Sequence, residues 1–141
     1  MKHLSYFELI LTDYMVEHHP DKIENKEFIK NRSLAAEQEF ERCSYEGMTV
    51  EEARRQAEEC LYRHLHFSLY DMTSEIVEEE FPFINEDERS IFIMQMLEYC
   101  KPLILQYNTD DDTFQGSNEY MKLYYTITGE IQNYLENNGL Q

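Results

Sequence analysis

Cys60-Leu61-Tyr62-Arg63-His64-Leu65-His66-Phe67-Ser68-Leu69-Tyr70-Asp71 is the stretch in which one amphipathic pattern stops and the next begins. Before it, Ala53, Ala57, Leu61 and then His64 or Leu65 recur at helical spacing, and after it Leu69, Met72, Ile76 and Val77 do the same. Two helices are therefore expected to meet here at a tight corner. Ser68 is placed to accept a backbone N–H at the start of the second helix, and Asp71 to favour its positive end. The corner also concentrates histidine, tyrosine, phenylalanine and arginine more densely than any other part of the chain.

Outward from the corner, the same signals repeat. Ser5 with Glu8 forms a capping-box pattern, and the helix that follows should run about 13 residues with Phe7, Ile10 or Leu11, Tyr14, Met15 and His18 on its inner stripe. Pro20 ends it, because the residue before a proline is steered away from helical angles. Ile29, Ser33, Ala36, Phe40 and Cys43 form a helical seam with Gly47 placed to stop it. Thr49 with Glu52 opens the helix that leads into the corner. Beyond the corner, a helix carrying Glu75 and Glu78-Glu79-Glu80 should stop near Phe81-Pro82. Asn85 with Glu88 starts another, with Ile91, Phe92, Met96, Tyr99 and Leu103 on or near one face, and Pro102 either kinks or ends it. Residues 108–117 are polar and acidic and form the longest loop. A last helix shows Tyr120, Tyr124, Ile127, Ile131 and Tyr134 at helical spacing, with Gly139 just past its end. Only 4 glycines and 3 prolines punctuate the chain, too few for a turn-rich β architecture. The expectation is an all-α fold, a compact bundle of about six helices, in one domain spanning the whole chain.

Twelve Lys and Arg stand against 29 Asp and Glu, a formal net charge of −17. Residues 1–63 hold nine basic and 14 acidic groups, whereas residues 64–141 hold three and 15. Nucleic-acid affinity comes from cations that displace counterions, so direct DNA or RNA binding is disfavoured, and so is docking on anionic membranes. There is no apolar run long enough to span a bilayer, and the first residues lack an apolar signal core, so a cytoplasmic location is expected. Cys43, Cys60 and Cys100 lie far apart among apolar neighbours, the pattern of buried free thiols.

Candidate chemistry is sparse. If Asp111 opened a calcium loop, Gly116 would fall correctly at position 6, but position 3 would be Thr113 and position 12 Lys122, where a bidentate Glu is required, so a solvated acidic loop is the better account. His64 and His66, two apart, would point to opposite sides of a helix, and there is neither a Cys-x-x-Cys nor a Glu-x-x-His pair. No metal, cofactor or catalytic residue is assigned. Cys60, His64 and Asp71 make an imaginable nucleophilic set, with Cys60 and His64 on one helix face, but no strained turn or oxyanion-hole signal accompanies them.

Ser5-Tyr6-Phe7-Glu8-Leu9, Glu17-His18-His19-Pro20, Phe28-Ile29 with Arg32, and Leu65-His66-Phe67-Ser68 followed by Tyr70-Asp71 resemble a family of small helical proteins carried on conjugative transposons of Bacteroidetes and classed as a domain of unknown function. The resemblance is carried by residues before Pro82. It implies a bacterial accessory protein encoded among genes that handle DNA, and it brings no catalytic residue with it. Together with the charge, it leads to an interaction module that binds a basic DNA-handling protein, with His64, His66, Tyr70, Glu78, Glu79 and Glu80 as the candidate contact residues. The alternative is a DNA mimic whose carboxylates imitate phosphates and so inhibit a DNA-binding enzyme. A small hydrolase-like enzyme at the Cys60 to Asp71 corner comes third.

Overall fold

Ser5 accepts a 3.0 Å hydrogen bond from the Glu8 N–H, and helix α1 (Tyr6–His18) starts there. The computed structural model describes residues 5–139, and among these the regular structure is entirely helical. After a short 3₁₀ turn at Pro20–Lys22 come α2 (Lys26–Tyr45), α3 (Val50–Leu61), α4 (Leu69–Glu80), α5 (Glu86–Tyr99), the single turn α6 (Lys101–Ile104) and α7 (Asn118–Asn137). The all-α expectation holds. The chain divides into two compact units, residues 1–66 and 67–141, and each has its own core.

In the first unit, α2 ends in a Schellman motif. The Gly47 N–H bonds the Ser44 carbonyl at 3.1 Å and the Met48 N–H bonds the Cys43 carbonyl at 3.1 Å, which requires the left-handed φ of +92° that glycine takes without strain. Thr49 then caps α3 by accepting the Glu52 N–H at 3.1 Å. Small residues on the facing stripes, Ser33 and Ala36 on α2 with Ala53 and Ala57 on α3, are fully buried and let the two backbones approach closely. Phe7, Leu11 and Met15 of α1 complete this core with Ile29, Leu61 and Leu65.

In the second unit, Ser68 caps α4 by accepting the Asp71 N–H at 2.9 Å. Met72, Ile76 and Val77 of α4, Ile93, Met96 and Leu97 of α5, and Leu123, Ile127, Ile131 and Leu135 of α7 make one continuous core. Phe67 and Phe114 stack into it with ring centroids 4.7 Å apart.

Several local expectations need correction. The connection from α3 to α4 is not tight: α3 ends at Leu61 and α4 begins at Leu69, because Leu65 turns inward to the core and draws the intervening chain with it. The Asn85 side chain accepts the N–H of Asp87, while the Glu88 N–H bonds the Asn85 backbone carbonyl. The inner stripe of α5 is Ile93, Met96 and Leu97, continued by Cys100, while Ile91 is 65% exposed and Tyr99 is exposed as well. Apolar residues at 91–94, 96 and 97 surround this helix, so periodicity alone selects no face. On α7 Ile127 and Ile131 face inward as expected, but Leu123 and Leu135 complete the stripe, with Tyr120, Tyr124 and Tyr134 flanking it half-buried.

Candidate functional site

The expected contact residues fall in both units. At the end of the first, His64 and His66 are exposed on either side of buried Leu65. His64 has left already the helix and adopts φ +68°, the one left-handed residue other than glycine among the described residues. Cys60 and His64 therefore do not share a helix face. This turn is held by carbonyl capture. Arg32 on α2 donates to the Leu61 carbonyl at 3.1 Å and the Arg63 carbonyl at 2.6 Å, while its guanidinium lies 4.7 Å over the Phe28 ring. The Leu65 carbonyl accepts from the Tyr14 hydroxyl at 2.9 Å and from Nε2 of His19 at 2.8 Å. His19, which is only 1% exposed, and not His18, is thus the buried histidine at the end of α1.

In the second unit, Tyr70 is half-buried on the first turn of α4, and its phenol is pushed up by burial and by the charge of Asp71. Glu78, Glu79 and Glu80 are exposed along with Glu75, and among the described residues none of the four makes a hydrogen bond or ion pair through its carboxylate. By contrast, in the first unit Glu39 and Glu46 both hold Arg42, which keeps the Glu39 carboxyl below its usual range. The α4 acids have neighbours of a different kind on α7. Burial raises the Tyr124 phenol and so do the charges of Glu80, Glu75 and Glu79, and Tyr120 is raised by burial and by Glu75. Tyr120 and Tyr124 thus extend the acidic face of α4 into a mixed carboxylate and phenol surface. Their spacing of four residues was visible in the sequence, but their closeness to Glu75 depends on how α4 packs against α7.

The other candidates are engaged structurally. Asp111 accepts from the Thr113 N–H at 2.8 Å and from its hydroxyl at 2.7 Å, which closes the acidic loop on itself, while Phe114 within that loop is buried. Among the described residues no three His, Cys, Asp or Glu side chains group to hold a metal ion, and no helix is long and apolar enough to cross a membrane. Cys43 and Cys100 are buried free thiols, whereas Cys60 is only half-buried.

Burial and the charge of Glu130 push the Cys100 thiol up to about 11, and burial also raises Tyr62, Tyr70, Tyr120 and Tyr124. Groups whose neutral form the fold favours contribute stability below their unfolded pKa and lose it as pH rises through the folded one. Stability should therefore fall between about pH 9 and 11, with Cys100 alone accounting for on the order of 2 kcal/mol. Thermal unfolding followed by circular dichroism across that range checks this, and Cys100→Ala should flatten the slope.

The family model for "Domain of unknown function (DUF1896)" matches residues 1–140. The chain belongs to this family. The DUF1896 fold is also seen in the crystal structure of protein PG0816 from Porphyromonas gingivalis, to which the chain is similar with a TM-score of 0.87 and 32% identity over 96% of this chain and 93% of that one. No curated protein matches the sequence. The residues that carry the family resemblance have structural work in this DUF1896 chain: Ser5 and Ser68 cap helices, His19 and Arg32 bind backbone carbonyls, and Leu65 fills the core.

Proposed function

We propose that the chain is an acidic helical interaction module that docks a basic protein on the α4 face of its second unit. The observation that carries this is the row Glu75, Glu78, Glu79 and Glu80, exposed and unpaired among the described residues, beside Tyr120 and Tyr124. Unpaired carboxylates next to phenols offer a cationic partner both long-range attraction and aromatic contact area. The net charge of −12 on residues 67–141 steers such a partner toward this unit rather than toward the first. Tyr70, on the same helix, belongs to this surface, and His64 and His66 are the contact residues proposed in the first unit. The mobile-element setting implied by the resemblance makes a DNA-handling protein of a conjugative transposon the proposed partner. A DNA mimic would need its carboxylates to continue in a regular row, whereas the acidic run of α4 ends at Glu80, where Phe81 is buried.

Reversing the charge of Glu78, Glu79 and Glu80 to Lys together should abolish capture of the basic partner from a lysate of the native host, with the helical circular dichroism spectrum retained. Capture of the same partner at undiminished level by the folded triple variant would overturn the proposal.

A further inference from the structure

The first unit holds an open hollow of about 310 Å³, lined among the described residues by Tyr6 and Phe7 of α1, Phe40 of α2 and Arg54 of α3, none of them an expected contact residue. Three of these four are aromatic, with Tyr6 and Phe7 at 5.3 Å between centroids and Phe7 and Phe40 at 6.1 Å. The fourth is a guanidinium. Arg32 and Arg89 are bound to backbone carbonyls and Arg42 to two glutamates. Arg54 makes no hydrogen bond or ion pair among the described residues, although Glu51 and Glu58 lie three and four positions away on its own helix. An apolar hollow with a convergent charged group is the usual build of a small-molecule site, and this volume is at the lower end of the range for such sites.

We infer that this cavity is a binding site for a small amphiphilic carboxylate, its apolar body against Tyr6, Phe7 and Phe40 and its head on Arg54. A guanidinium selects a carboxylate because two parallel N–H donors match two oxygens, and the aromatic rings beside it take the apolar body. A neutral ligand of the same shape would gain the walls but not the head. This inference stands apart from the docking surface, since the cavity lies in the first unit and contains none of its residues.

The test uses the full chain titrated with octanoate and with octan-1-ol, by calorimetry and by aromatic ¹H–¹³C spectra. Octanoate should bind about tenfold more tightly than octanol, with shifts at Phe7 and Phe40, and Arg54→Gln should remove that preference while leaving octanol binding in place. Because Arg54 is exposed, the variant should fold, and its spectrum reports that directly. Equal affinity for the two probes, an unchanged preference in Arg54→Gln, or shifts confined to other residues would overturn the assignment.

Discussion

Ile127→Ala is expected to lower the unfolding free energy by about 2 to 5 kcal/mol, the range for truncating a large aliphatic side chain in a core that cannot collapse around the gap. Ile127 is 1% exposed and sits in the middle of the row Leu123, Ile127, Ile131 and Leu135, which faces Met72, Ile76 and Val77 of α4 and the inner stripe of α5 within one cluster. The missing methylenes leave a void that neighbours on three helices would all have to close at once, and close packing leaves them little freedom to do so. Tyr125→Ala, two residues back on the outer face and 66% exposed, should change stability by no more than about 0.5 kcal/mol. Denaturant titration of both variants at unchanged m-value separates the cases. Comparable losses for the two would mean that α7 presents a different face to the core.

That contrast also shows where local pattern is sufficient and where it is not. The caps were legible because each is settled within four residues: Ser5, Thr49 and Ser68 accept the N–H three positions on, and Gly47 supplies the positive φ. On α7, Ile127 and Ile131 were assigned inward correctly, but the tyrosines at 120, 124 and 134 competed for the same stripe, since a phenol ring packs well while its hydroxyl stays at the edge. Around α5 apolar residues left the register open, and only contact with α4 decides it. Phe114 was hidden by its polar neighbours in the loop.

The candidate surface divides in the same way. The exposure of Glu78 follows from helical spacing, since the buried stripe of α4 passes through Met72, Ile76 and Val77, and Glu79 lies at its flank, whereas Glu80 continues the line of that stripe and is exposed as the last residue of the helix. The positioning of Tyr120 and Tyr124 beside those acids does not, because it joins residues some 45 positions apart through the packing of two helices. The sequence pattern carries α3 on to His64, but the helix ends three residues earlier, where a remote side chain, Arg32 of α2, binds the Leu61 and Arg63 carbonyls.

Arg32→Ala should therefore be among the most destabilising changes at a partly exposed position, costing about 3 kcal/mol. Two carbonyls at and just past the end of α3 lose a charged donor, those of Leu61 at 3.1 Å and Arg63 at 2.6 Å, and the guanidinium also leaves the face of Phe28. Hydrogen bonds to charged groups contribute about 1.5 to 3 kcal/mol, and the ring contact adds roughly 0.5 to 1. Arg32→Lys should recover less than half of the loss, because one nitrogen of a rigid guanidinium plane donates to both carbonyls while the plane stacks on Phe28, and a flexible ammonium reproduces neither the fixed direction nor the stacking. The same turn is held from α1 by His19 and Tyr14 on the Leu65 carbonyl, so the two captures stabilise one segment. A double-mutant cycle between Arg32→Ala and His19→Ala, read by denaturant unfolding, should give losses that fall short of additivity by about 0.5 kcal/mol or more, since freeing the turn from one side weakens its hold on the other. Strict additivity would mean that the carbonyls of Leu61, Arg63 and Leu65 are held independently, and that the residues carrying the family resemblance do not act together in shaping the end of α3.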